Sequence, residues 1–189
     1  PLDVDAIGRE PSFAAQVWTN NAWVAAGTLM LGVSLGLPVL YILFTNAANV
    51  AVAAGLMAAH GRLEIFLGLI TPHGLLELTA VFVAAGTGLR LGWTVIDPGP
   101  RSRGTALAEQ GRVAVGMAVG LTGVLLVSGV IEAFVTPSGL PTWARIAIGV
   151  ATEVAFLAYV WVYGRRAAEA GETGDLASAD RGDELPVSA

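Results

Sequence analysis

The sequence predicts an all-α, polytopic transmembrane helix bundle with four full spans and a re-entrant pair of half-helices. Three observations carry that expectation. Of 189 residues, 54% are apolar and 13% charged, and mean hydropathy is +0.68, well outside soluble usage. Several apolar runs exceed the ~18 residues that mark a membrane span. The runs are bounded by Trp, Pro, Asn and Arg, the residues that end or anchor helices at an interface. A soluble domain this apolar would lack polar surface to cover itself.

The chain begins at Pro1 and its first residues lack the basic-then-apolar shape of a secretory signal, which suggests a piece of a longer protein or a processed form. Residues 1–16 are mixed in character and read as an interfacial segment. The transmembrane domain then spans 17–166. Trp18 and Trp23 flank Asn20-Asn21, a pattern suited to the membrane interface. The first span is expected over 22–44, with Gly32 and Gly36 four residues apart for close helix approach and Pro38 kinking its last turns. Residues 46–59 and 63–71 are each too short to cross, and Arg62 and Glu64 argue against one continuous helix. They read as half-helices folding back, enclosed by the full spans because re-entrant backbone needs protein or water around it.

The second span, 74–96, is stopped by Asp97-Pro98-Gly99-Pro100. On it His73 and Glu77 are i,i+4 and share a face that Ala84, Gly88 and Gly92 continue, so that face should pack against protein. The third span, 113–135, offers Gly116 and Gly120 for close packing. The fourth, 142–163, opens at Trp143 and closes with Trp161, Tyr163 and Arg165-Arg166. Residues 167–189 are acidic and rich in small polar residues, and are expected to form a disordered tail. The Arg-rich loop within 97–112 and Arg165-Arg166 lie two spans apart, hence on one side, which the positive-inside rule makes cytoplasmic. His73 then lies near the outer end of its span. Multi-pass membrane insertion with that loop and the C-terminus on the cytoplasmic side follows.

Ionisable groups inside a membrane are expensive and mark functional sites or tight partnerships. A cluster of His73, Glu77, Glu132 and Arg145 in the outer half is expected, with Asn46 and Asn49 nearby. Glu153 should lie deeper, about 16 Å below the outer end at 1.5 Å per residue. Three roles are open: mutual satisfaction of buried polar groups, a proton or ion path through His73, Glu77 and Glu153, or a divalent metal held by His73, Glu77 and Glu132. The two-His helix motif of metalloproteases is absent, as are the Gly-x-Ser-x-Gly, Walker and dinucleotide motifs. Neither an enzyme nor a cofactor is expected. No basic aromatic patch points to nucleic acid, and with no Cys there is neither disulfide nor thiolate site.

Several stretches resemble the stage II sporulation protein M family: Trp18-Thr19-Asn20-Asn21, Asn46-Ala47-Ala48-Asn49, Pro72-His73-Gly74 with Glu77-Leu78, Gly86 to Gly92, Asp97-Pro98-Gly99, and Glu132 to Pro137. The pattern is similar to the actinobacterial branch. The resemblance implies a membrane scaffold associated with other membrane proteins, with cell-wall hydrolases or with a MoxR-type ATPase system. It assigns no chemistry to His73 or Glu77. Besides lipid, the expected partners are therefore proteins, a second copy of the chain included. The competing readings are a small channel or transporter using the buried cluster, and an intramembrane metal-dependent hydrolase.

Overall fold

The computed structural model describes the backbone of residues 11–176 and the side chains of residues 16 and 18–176. Residues 1–10 of the interfacial segment and residues 177–189 of the tail lie outside the described residues. Five helices follow one another: α1 (Pro11–Leu31), α2 (Leu37–Ala59), α3 (Leu63–Ile96), α4 (Arg103–Val130) and α5 (Thr142–Glu169). A π-helical turn, Ile131–Val135, continues α4. No strand occurs among the described residues. Four helical stretches, Leu37–Ala59, Leu63–Ile96, Arg103–Val135 and Thr142–Glu169, are long and apolar enough to cross a membrane.

The number of long apolar helices matches the expectation, but their boundaries at the N-terminal end do not. The expected first span, 22–44, is divided. Its first part belongs to α1, and the chain turns at residues 32–36 before α2 starts. Leu35 and Gly36 adopt positive φ, 60° and 74°, and Pro38 occupies the first turn of α2. Proline lacks an N–H and its ring clashes with the helical carbonyl four residues back, so it suits a helix start far better than an interior. The expected half-helix 46–59 is the second part of α2. The other, 63–71, runs through Pro72 into 74–96 as the single 34-residue helix α3. Instead of a re-entrant pair, the chain forms a long hairpin, with Arg62 and Glu64 at its 60–62 turn and the first turn of α3. Arg62 N–H donates to Met57 O at 2.8 Å and Gly61 has φ +66°, closing α2 with a left-handed residue.

α3 is the axis of the bundle and touches every other helix. At 1.5 Å rise it is about 51 Å long, against a hydrocarbon thickness of about 30 Å. The apolar core holds Ala25 and Leu29 of α1, Ala80, Val81 and Ala84 of α3, and Leu121 and Leu125 of α4. Helices α2 and α5 ride on the rim: 11% and 6% of their most apolar windows are buried, against 44% for α3. Trp23, Phe44, Phe134, Trp143 and Trp161 are largely exposed. Exposed aromatic and aliphatic side chains in this number suit acyl chains and the interface better than water.

Two ends of the bundle are distinct. The upper end carries the 60–62 turn, the 136–141 turn and the start of α5. The lower end carries the 32–36 turn, the 97–102 loop and the chain after α5. There Arg112 donates to both carboxylate oxygens of Asp175, at 2.6 and 3.4 Å. Residues 170–176 of the expected disordered tail are thus turned back against α4, and 167–169 complete α5. Arg101 pairs with Glu109.

Candidate functional site

In the lower half, helices meet through glycine. A Cβ on Gly92 would lie 2.5 Å from both the Gly32 carbonyl oxygen and the Gly36 nitrogen. One on Gly88 would lie 2.9 Å from the Thr28 carbonyl carbon and closer still to its oxygen. The 32–36 turn is therefore seated directly on the small-residue face of α3, backbone against backbone. Gly32, Gly36, Gly88 and Gly92 form this contact together, although Gly32 and Gly36 do so from a turn and not from a helix face. Gly116 and Gly120 have nothing within 4 Å of a Cβ position. Contrary to expectation they pack no helix among the described residues, because α4 turns Leu121, Leu125 and Ser128 toward α3 and α1 instead.

The upper half is polar. His73 and Glu77 are buried, 5% and 2% exposed, on the first straight turns of α3 beyond Pro72. Proline within this helix is stabilised from outside: Gly149 of α5 lets the two helices approach so closely that a Cβ there would lie 2.7 Å from the Pro72 Cα. Asn21 Nδ2 donates to Glu77 Oε2. Ser128 Oγ donates to the His73 carbonyl at 3.0 Å, and His73 Nδ1 lies 3.2 Å from Thr136 Oγ1. Thr136 N–H reaches back to Ile131 O at 3.1 Å across the π turn. Such a widened turn adds one residue per turn and often marks a functional site. Here it joins Ser128 and Glu132 to Thr136, all three buried. Glu132, 3% exposed, lies at the same end.

Arg145 belongs to the same end but answers neither acid. Its guanidinium donates to Thr136 O at 2.8 Å and to Thr142 Oγ1 at 3.2 Å. Glu153, on the α5 side of α3, accepts from Thr79 Oγ1 at 2.7 Å. Glu77 Oε1, Glu132 Oε2, Glu153 Oε2 and Arg145 Nε are buried without a hydrogen-bond partner. Four such atoms concentrated in one region is a high local density for buried polar groups.

A cavity of ≈ 330 Å³ opens beside this cluster, between α1, α2 and α3. From α1 come Gln16, Asn20 and Asn21; from α2, Asn46 and Asn49; from α3, His73 and Glu77. Val50, Phe66 and Ile70 form its apolar wall. The structure thus brings His73, Glu77, Glu132, Arg145, Asn46 and Asn49 to one end, with Glu153 beside them on the α5 side of α3. Among the described residues no three His, Asp or Glu side chains converge to hold a metal ion. His73, Glu77 and Glu132 are therefore not a ligand set: His73 Nδ1 is turned to Thr136 and Glu77 to Asn21.

Asn21, Ser128, Thr136 and Thr79, which hold the cluster together, were not among the expected site residues. Asn21 carried a readable signal, since a carboxamide beside an apolar run seeks a polar partner within the membrane. Ser and Thr carry none, because in helices they bond equally well to their own backbone, as Thr87 and Thr94 do here.

Four long apolar helices, a largely apolar exposed surface and a buried polar cluster define a multi-pass α-helical membrane protein. The family model for stage II sporulation protein M matches residues 3–137. The chain belongs to that family, whose matched region takes in α1 to the π turn and leaves α5 beyond it. No curated protein and no solved structure matches the chain.

Proposed function

We propose that the protein is a scaffold or partner-binding subunit of an envelope-remodelling assembly in the bacterial cytoplasmic membrane, with the polar chamber on the outer side. The observation that carries this reading is that the chamber is blind. Below His73 and Glu77 the axis of the bundle is filled by Ala80, Val81 and Ala84, each at most 1% exposed, and then by the glycine contacts with the 32–36 turn. A conduit needs polar groups or water along its whole length; here the buried ionisable residues His73, Glu77 and Glu132 are confined to the upper half. The Arg residues at 101, 103, 112, 165 and 166 gather at the other end, which by the positive-inside rule is cytoplasmic.

Two features suit a partner-binding role. The buried polar groups fix the register of α1, α3 and α4, which keeps the outer surface rigid. The open face of α4 around Gly116 and Gly120 leaves room for a helix from another protein. The test is to reconstitute the full chain in liposomes and follow proton and cation flux, alongside photo-crosslinking from position 119 on the exposed α4 face in native membranes. Flux at the level of empty liposomes together with discrete crosslinked protein adducts supports the scaffold. Flux that is lost in Glu77→Gln, with no protein adduct, would replace it with the transporter reading.

A further inference from the structure

The upper cavity has a lining whose chemistry selects a ligand. Gln16, Asn20, Asn46 and Asn49 are among its lining residues, with His73 and Glu77, set in a surface that is otherwise mostly apolar. Each carboxamide both donates and accepts hydrogen bonds. Among the described residues no Arg or Lys lines the cavity, so no described side chain there would neutralise a phosphate or a carboxylate. A full cation is poorly matched too: Glu77, the one acid in the described lining, has Oε2 committed to Asn21 and Oε1 buried away from the opening, and Phe66 is the one aromatic among the described lining residues, too few for a cage. A neutral group that itself donates and accepts at several points is the complement, and hydroxyls arrayed on a ring are such a group.

The need for an occupant comes from α2. Asn46 and Asn49 lie in the middle of a 23-residue apolar helix on the rim of the bundle, Asn46 half-buried and Asn49 exposed, and no hydrogen bond joins either to another described residue. Carboxamides in a membrane helix find partners across an interface or remain a cost. Facing them, His73 has Nδ1 committed to Thr136, which leaves Nε2 for the cavity. The apolar wall of Val50, Phe66 and Ile70 suits the sugar's non-polar edge or the first carbons of a glycerol. A volume of ≈ 330 Å³ is at the small end of ligand pockets and favours one sugar ring over an oligosaccharide.

We propose that this cavity binds a neutral polyhydroxylated headgroup, a single sugar ring carried on a lipid or free in solution. The proposal does not depend on the scaffold reading, since a scaffold and a transporter could each hold such a group. It is tested with the full chain purified in a zwitterionic, sugar-free detergent and placed in phosphatidylcholine nanodiscs. Binding of monoglucosyl diacylglycerol, diacylglycerol, phosphatidylethanolamine, phosphatidylglycerol and free glucose is measured by native mass spectrometry and by the shift in unfolding temperature. The glucosyl lipid is expected to bind at least ~10-fold tighter than diacylglycerol, a difference of about 1.4 kcal/mol. The Asn46→Leu/Asn49→Leu variant should lose that preference while unfolding, without ligand, within a few degrees of the parent, because neither side chain holds another described residue. Glucose alone reproducing the shift assigns a free sugar; a shift with the lipid only assigns a membrane headgroup. Equal binding of diacylglycerol, a preference for the ethanolamine or phosphoglycerol headgroup, or unchanged glucosyl-lipid binding by the double variant would overturn the proposal.

Discussion

Replacing Gly88 with alanine adds one methyl group where the protein has no room for it. The new Cβ would meet the Thr28 carbonyl group, 2.9 Å from its carbon, and Val39 Cγ2 at 3.4 Å. The Thr28 contact is main chain, so relief requires α1 or the 32–36 turn to move as a unit. Overpacking of this kind costs about 1–3 kcal/mol. Against it stands up to about 1 kcal/mol from the better helix propensity of alanine. A net loss of about 1–2 kcal/mol is expected, which for a chain of this size lowers the unfolding temperature by roughly 2–8 °C. Gly120→Ala is the matched control. It makes the same chemical change on a helix where nothing lies within 4 Å, and should leave the temperature unchanged or slightly raised. Unfolding of both variants in nanodiscs, followed by tryptophan fluorescence, checks the pair. Equal stability of Gly88→Ala and the parent would refute the claim that the lower half is closed by backbone contact.

The polar half makes its own predictions. Asn21→Leu leaves buried Glu77 without its donor, and a loss of about 1–3 kcal/mol is expected; a double-mutant cycle with Glu77→Leu should recover much of it, because removing both partners costs less than stranding one. Thr79→Val should cost about 1 kcal/mol or more by stranding Glu153, whereas Thr152→Val, whose hydroxyl is exposed and bonds only its own helix, should be near neutral; chemical unfolding separates the two. Asp175→Asn removes the charge from the Arg112 pair, so residues after α5 should be cut faster by protease, and added salt should narrow the difference from the parent.

The sequence made the buried acids legible because a carboxylate in an apolar run has few places to go. His73, Glu77 and Glu132 were expected at one depth, and the structure gathers them at one end. The small-residue face of α3 was readable from the four-residue spacing of Ala84, Gly88 and Gly92, which are buried while Phe82 and Trp93 point out. The two prolines were harder. Pro38 separates two helices and Pro72 sits inside one, although both interrupt apolar runs. What decides is tertiary: Gly36 takes positive φ and the turn finds a glycine face to rest on, while Pro72 is braced by Gly149 77 residues away. The π turn left no local mark at all, since its residues Ile131 to Val135 read as ordinary helix. Gly116 and Gly120 show the reverse limit: small residues at helical spacing reveal that a face can pack, not that anything in the same chain packs there.

The central claim is a chamber open at one end and closed beneath. Because the chain has no cysteine, single cysteines can report water directly, using a membrane-impermeant maleimide applied to either side of sealed vesicles. Asn49→Cys is expected to label from the outer side, and Ala84→Cys, at a position 0% exposed, from neither. Ala84→Cys labelling at a rate near that of Asn49→Cys would mean that water passes the glycine contacts, and the blind chamber would have to be given up for a conduit.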